Sequence, residues 1–338
     1  MRIDPEIYKA SPLSDELVGM KAFVAPMPVT PVFLDIPMLT GDEVPHAPYI
    51  AASANPWPGS VALYSSLTDQ NFGLNTILPL RATLGSTRSP MLRATTGLFD
   101  RGDALEVQLA SGQLESVEEA ALLSGANLTA IGDGSSDNWE IFQFATAELI
   151  APRTYLLRDR LRGQAGSDGL MPDVWPTGSQ FVLLNSVPQQ IDLSRNMRRV
   201  TQNYRIGPAQ RPVDDPSFRQ MQKAFDGNGL RPYAPAHLRA VIQPDGAVTM
   251  TWVRRTRVDG DAWESFEVPL GEESESYMLR VVKDGAIVRT DVLTTPSYVY
   301  SGAAQASDAI TLPFTVEVGQ VSATYGVGLW ASTRITAL

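Results

Sequence analysis

Pro244-Asp245-Gly246-Ala247-Val248-Thr249-Met250-Thr251-Trp252 decides how the last third of this chain is read. A Pro-Asp-Gly turn leads into a run where Val248, Met250 and Trp252 alternate with other residues. That period of two marks a strand with one buried face. Working outward, Tyr277, Leu279 and Val281 alternate likewise and end at the hairpin signal Asp284-Gly285. Phe314, Val316 and Val318 form a third run, which Val321 continues, and Tyr325-Gly326-Val327-Gly328-Leu329-Trp330 is a Gly-flexed turn entering a strand. Short strands at this spacing predict a β-sandwich over residues 235–338, with Trp252, Tyr277, Phe314 and Trp330 in its structural core.

The rest of the 338-residue chain also reads as mainly β. Leu105, Val107 and Leu109 alternate, and Trp139-Glu140-Ile141-Phe142-Gln143-Phe144 follows a turn-rich segment from Gly132 to Asn138. Ser116 with Glu119 forms a capping-box pattern, so one short helix is expected over Ala120–Leu123, closed by Gly125. Eight prolines between residues 21 and 58 forbid helix there. The apolar residues between them, among them Val32, Phe33, Leu34 and Ile36, predict an extended segment lying against another surface. Residues 1–207 therefore form a β-rich N-terminal domain. Pro208–Pro216 and Gly227–Pro235 are punctuated by Pro and Gly, which predicts a linker over 208–234, with Ser217–Phe225 able to form a short helix.

Composition excludes several chemistries. There is no cysteine, hence no disulfide, thiol nucleophile or Cys metal site. The two histidines, His46 and His237, fall in different domains, which argues against a His triad or a multi-His metal centre. Asp103 with Glu106 and Asp133 with Asp137 read as turn or strand-surface residues rather than as glycosidase pairs. No catalytic, cofactor or metal residues are assigned, and the chain is read as non-enzymatic. A net charge of −10 opposes nucleic-acid binding, and the basic stretch Arg153–Arg162 reads as a solvated face. No apolar run is long enough for a membrane helix, so no membrane insertion is expected. Of the six tryptophans, Trp263 in Gly260-Asp261-Ala262-Trp263-Glu264 is the candidate exposed platform for a glycan or other host contact.

Two resemblances add to this. Ala234-Pro235, Trp252 on the second strand and Tyr325–Trp330 resemble a fibronectin type III domain. The family's sixth strand begins with Tyr, whose hydroxyl ties a corner to backbone. Phe314 stands there, so that corner is expected to be looser. Ala51–Ala62, Trp139–Leu149, Tyr155–Asp168, Pro176–Leu184 and Tyr204–Ala209 resemble the tail-tip host-specificity proteins of gene transfer agents and related phage-like tails. That likeness implies a structural component of a virion tail tip or baseplate hub, corresponding to the C-terminal portion of longer proteins. It would be made in the bacterial cytoplasm and be extracellular in released particles. The implied partners are two further copies in a homotrimer, other tail-tip proteins, and a host-surface glycan or protein. The alternative is a carbohydrate-binding surface adhesion module.

Overall fold

The computed structural model describes residues 28–258 and 269–336. In the N-terminal part, β1 (Thr30–Leu34) pairs with β2 (Tyr49–Ser53), and β3 (Val61–Ser66) with β4 (Gly73–Leu78). Then come β5 (Leu84–Thr87), β6 (Met91–Leu92), β7 (Phe99–Asp100), β8 (Leu105–Leu109), α1 (Glu119–Leu123) and β9 (Leu128–Gly132). The long hairpin of β10 (Trp139–Ala151) and β11 (Thr154–Gln164) precedes β12 (Val174–Trp175), β13 (Gln180–Leu183) and β14 (Gln189–Gln190). β15 (Gln202–Pro208) and β16 (Arg219–Lys223) complete this part.

The strand order β10-β9-β13-β5-β8-β11, with β11 paired back to β10, closes a six-stranded antiparallel barrel. Closure removes the unpaired edges an open sheet would expose. Leu105, Val107, Leu109, Phe142, Phe144, Leu157 and Phe181 share one buried cluster, so the alternation legible in β8 marks the barrel's packed side. The expected helix forms, and Gly125 follows it at φ +95. Its cap differs from the sequence pattern: Ser116 exchanges hydrogen bonds with the backbone of Ala147 instead of capping the helix.

The proline-rich segment is a middle layer. In β1 and β2, Phe33, Ile50 and Ala52 pack towards β3, β15 and Phe225. Leu34 and Ala51, of opposite parity, pack against the barrel residues Leu84, Ala130, Ile141 and Val182. A strand buried on both faces reads as a continuous apolar run, which is why no alternation was legible there.

Residues 208–234 are not a linker, and Ser217–Phe225 is not a helix. Ser217 donates through its N–H and its hydroxyl to Asp215 Oδ1, at 2.9 and 2.6 Å, which folds the chain back. β16 then pairs with β15 from Ile206↔Arg219 to Gln202↔Lys223, and Met221 packs on the core beneath. Phe225, Asn228, Leu230 and Ala234 are buried. Gly229, which suggested flexibility, permits close packing: a Cβ there would lie 2.5 Å from the Pro45 carbonyl oxygen.

The C-terminal part is the expected sandwich. One sheet contains β17 (Ala236–Ile242), β18 (Val248–Val253) and β21 (Ser297–Tyr300), in that order. The other runs β20 (Ala286–Leu293), β19 (Tyr277–Lys283), β22 (Phe314–Ser322) and β23 (Gly326–Ile335). The division into A-B-E and C′-C-F-G strands is that of the fibronectin type III fold. Asp284 and Gly285 both take positive φ, as a two-residue type I′ hairpin requires. Between β21 and β22 lies α2 (Gly302–Ser307), capped by Ser301. The corner expected to be loose is tied from the preceding strand, β21, in the facing sheet. Tyr300 packs edge-on against Phe314 and donates its hydroxyl hydrogen to Asp308 Oδ2 at 2.6 Å, and Asp308 is held by Arg289.

Candidate functional site

Trp252, Tyr277 and Phe314 are buried together in the sandwich core, with the Trp252 and Tyr277 rings 5.3 Å apart. Trp330 is not core. It pairs with Gly319 on the outer face of its sheet, half-buried, with the Arg280 guanidinium 4.1 Å from its ring centroid. The strand parity that sends Val316 and Val318 inward sends Trp330 out. Trp263 lies outside the described residues.

The Arg153–Arg162 stretch is only in part a solvated face: Arg153 and Arg158 are exposed, but its second half turns inward. Arg160 and Arg162 are 2% and 0% exposed. Asp159, at φ +51, lies within β11 between them and the core residue Leu157. Arg162 grips the fully buried Glu140 through both carboxylate oxygens, at 2.6 and 2.8 Å, and Trp175 Nε1 donates to the same carboxylate. Asp100 accepts from both arginines. Each charge is compensated, so the cluster is a brace for the β10–β11 hairpin, with no group free for chemistry.

A second brace joins the sandwich to the N-terminal part. Asp35, in the chain after β1, accepts the backbone N–H groups of Gly227 and Asn228 at 2.9 and 2.6 Å. Burial pushes its carboxyl up to about 6, against those two donors, which pull it down. Asn228 donates to the Asp35 carbonyl oxygen and accepts from the Tyr325 hydroxyl at 2.7 Å. Arg198 and Arg199 lie over the Tyr325 ring and donate to the carbonyls of Thr324 and Tyr325, both at 3.0 Å. Arg255 of the sandwich pairs with Asp168 at 2.9 Å, and its guanidinium lies over Tyr233. The absence of a side chain at Gly328 lets the start of β23 approach Pro232, since a Cβ there would fall 2.3 Å from the Pro232 carbonyl oxygen.

A cleft of about 580 Å³ opens between the β1–β2 layer and the barrel strands β5, β8 and β13. Such a volume lies within the range of small-ligand sites. Arg81, in the loop between β4 and β5, donates from Nε to Ser53 Oγ at 3.0 Å and from Nη2 to the Ala110 carbonyl oxygen at 3.4 Å. Arg153, at the β10–β11 turn with φ +57, donates from Nη1 to that same oxygen at 3.1 Å. Arg81 was not singled out in the sequence, and Arg153 reads there only as the start of a solvated basic stretch. Nothing local marks their convergence, because the loops carrying them meet only through the pairings of β8 with β5 and with β11. Among the described residues there is no cluster of His, Asp and Glu suited to a metal ion, and no helix long and apolar enough to cross a membrane.

A family model described as "Rcc01698-like, C-terminal" matches residues 82–182. That interval contains the barrel strands, save the last residue of β13. No curated protein matches the chain. Solved structures similar to it include domains d3–d4 of the rat CD45 extracellular region, at 12% identity over 46% of this chain and 72% of that one, with a TM-score of 0.23. The chicken CNTN1 FN1–FN3 domains match at 10% identity over 75% of this chain and 66% of that one, TM-score 0.22. A two-domain fibronectin type III segment of chicken tenascin matches at 6% identity over 75% and 99%, TM-score 0.22. At such scores the strand order and cores described above carry the fold assignment: the chain is mainly β, with a closed barrel and a fibronectin type III-like sandwich.

Proposed function

We propose that this chain is a structural component of a phage-like tail tip or baseplate hub of the gene transfer agent type. In this reading it contributes to tail assembly and host-surface attachment and catalyses nothing. The match of the barrel to the Rcc01698-like C-terminal family carries the proposal. The segments resembling tail-tip proteins, several of which fall in the same interval, support it. Three copies would surround the tail axis beside other tail-tip proteins, and the protein would reside in the released particle. The proline-rich segment lends little support to the trimer, because most of its described apolar residues, Val29, Phe33, Leu34 and Ile36 among them, are buried within their own chain. The braced seam has a mechanical meaning here: a sandwich fixed to the barrel transmits a contact with the cell surface into the hub.

The test is to tag the C-terminus, purify particles and image them with a gold-labelled antibody. Label at the distal tip with threefold averaging is expected. Label along the tail or on the head, or particles without the chain, would overturn the reading.

A further inference from the structure

We infer that the cleft between the β1–β2 layer and the barrel binds a carboxylate-bearing saccharide, such as a hexuronate oligosaccharide. The chain has 37 acidic and 27 basic side chains, yet no acidic residue lines this cleft and two arginines do. Both guanidiniums hydrogen-bond to the Ala110 carbonyl oxygen, and neither has a carboxylate partner among the described residues. Two like charges held beside one neutral acceptor repel each other, and an anion between them relieves that repulsion. Guanidinium groups are suited to planar carboxylates, which they bind through paired N–H donors.

The other walls favour a sugar over a peptide. Asn55 and Gln180 line the cleft with side-chain amides, and Ser86 and Thr30 with hydroxyls, which suits a ligand rich in hydroxyl groups. Strands β13, β5 and β8 are interior to the barrel sheet, with both neighbours hydrogen-bonded. On that wall no free backbone ladder is left for an extended acidic peptide to join, and the facing strand β1, an edge of its sheet, carries Pro31, which has no N–H to offer. The inference stands apart from the tail-tip reading, because binding is measured on the isolated chain.

The experiment is calorimetric titration of the full chain with trigalacturonate, maltotriose and inorganic phosphate in low salt. Trigalacturonate should bind saturably, and added salt should weaken it. R153Q should weaken it roughly tenfold or more, the scale of one lost hydrogen bond to a charged group. Because Arg153 is exposed, R153Q should melt with the parent. R81Q should act in the same direction, but Arg81 also braces Ser53, so Q180A, which removes an amide without touching that brace, is the second variant, with a smaller loss expected. Equal binding of maltotriose would overturn the role of the carboxylate. Equal binding of phosphate would reduce the site to one for small anions. No saturable heat at millimolar trigalacturonate, or full binding by R153Q, would overturn the site itself.

Discussion

The Tyr325 hydroxyl and the Asn228 side-chain oxygen lie 2.7 Å apart, and this hydrogen bond fastens the last hairpin of the sandwich to the N-terminal part. Asn228 is simultaneously held by Asp35, so three residues distant in sequence share one buried polar chain. Tyr325→Phe leaves the Asn228 oxygen short of a donor in a buried site. A loss of about 1–3 kcal/mol is expected. Urea unfolding followed by tryptophan fluorescence measures it, and unchanged stability would show that the seam does not depend on this contact.

Asp35 makes stability depend on pH in an unusual direction. Its folded value of about 6 lies above the ordinary 3.8, so the folded state holds the proton more tightly than the unfolded chain. This contribution is fully present below about 4 and is lost as pH rises through about 6, a span worth about 3 kcal/mol. Glu43, Asp100, Asp133 and Asp308 are held below their ordinary values, so their contributions are lost only at more acidic pH. Denaturation at intervals from pH 4.5 to 7 should show stability falling, and Asp35→Asn should flatten the slope. An equal slope in the variant would assign it to other groups.

Removing one partner of the buried Glu140–Arg162 pair strands a charge. Glu140→Gln should cost about 3–5 kcal/mol. The double variant Glu140→Gln with Arg162→Met should recover part of that loss. A double-mutant cycle in guanidinium chloride decides it, and strict additivity would mean that the two side chains are not coupled.

Trp252→Ala empties the centre of the sandwich, next to Tyr277, and should destabilise that domain by about 3–5 kcal/mol. Trp330→Ala, on the outer face, should cost clearly less. Equal losses in thermal unfolding would contradict the parity assigned to these strands.

The contrast between those two tryptophans shows how far the sequence reached. Val248, Met250 and Trp252 alternate in one uninterrupted strand, so inward and outward faces were legible. Trp330 follows the Gly-rich entry to β23, where β22 and β23 shift register between Gly319 and Val321, and parity could not be carried across that break. Residues 208–234 were misread for a related reason. Gly227 and Gly229 look like flexibility in a string of letters, but close approach of the distant backbone at Pro45 and His46 is what requires them. The convergence of the cleft arginines was illegible because both reach Ala110 only through the pairings of β8 with β5 and with β11, strands far apart in sequence that no local pattern brings together.

The middle-layer strand β1 also sets an order of events during synthesis. Asp35 leaves the ribosome 192 residues ahead of Gly227, to which it is bonded, and Phe33 packs against Phe225. Neither face of β1 can be covered until the barrel and then β15 and β16 have emerged. Contacts so distant in sequence slow folding and leave apolar surface waiting. Protease protection of β1 in ribosome-bound chains should therefore appear only after residue 228 has cleared the exit tunnel. Protection in shorter nascent chains would show that the layer forms before its neighbours.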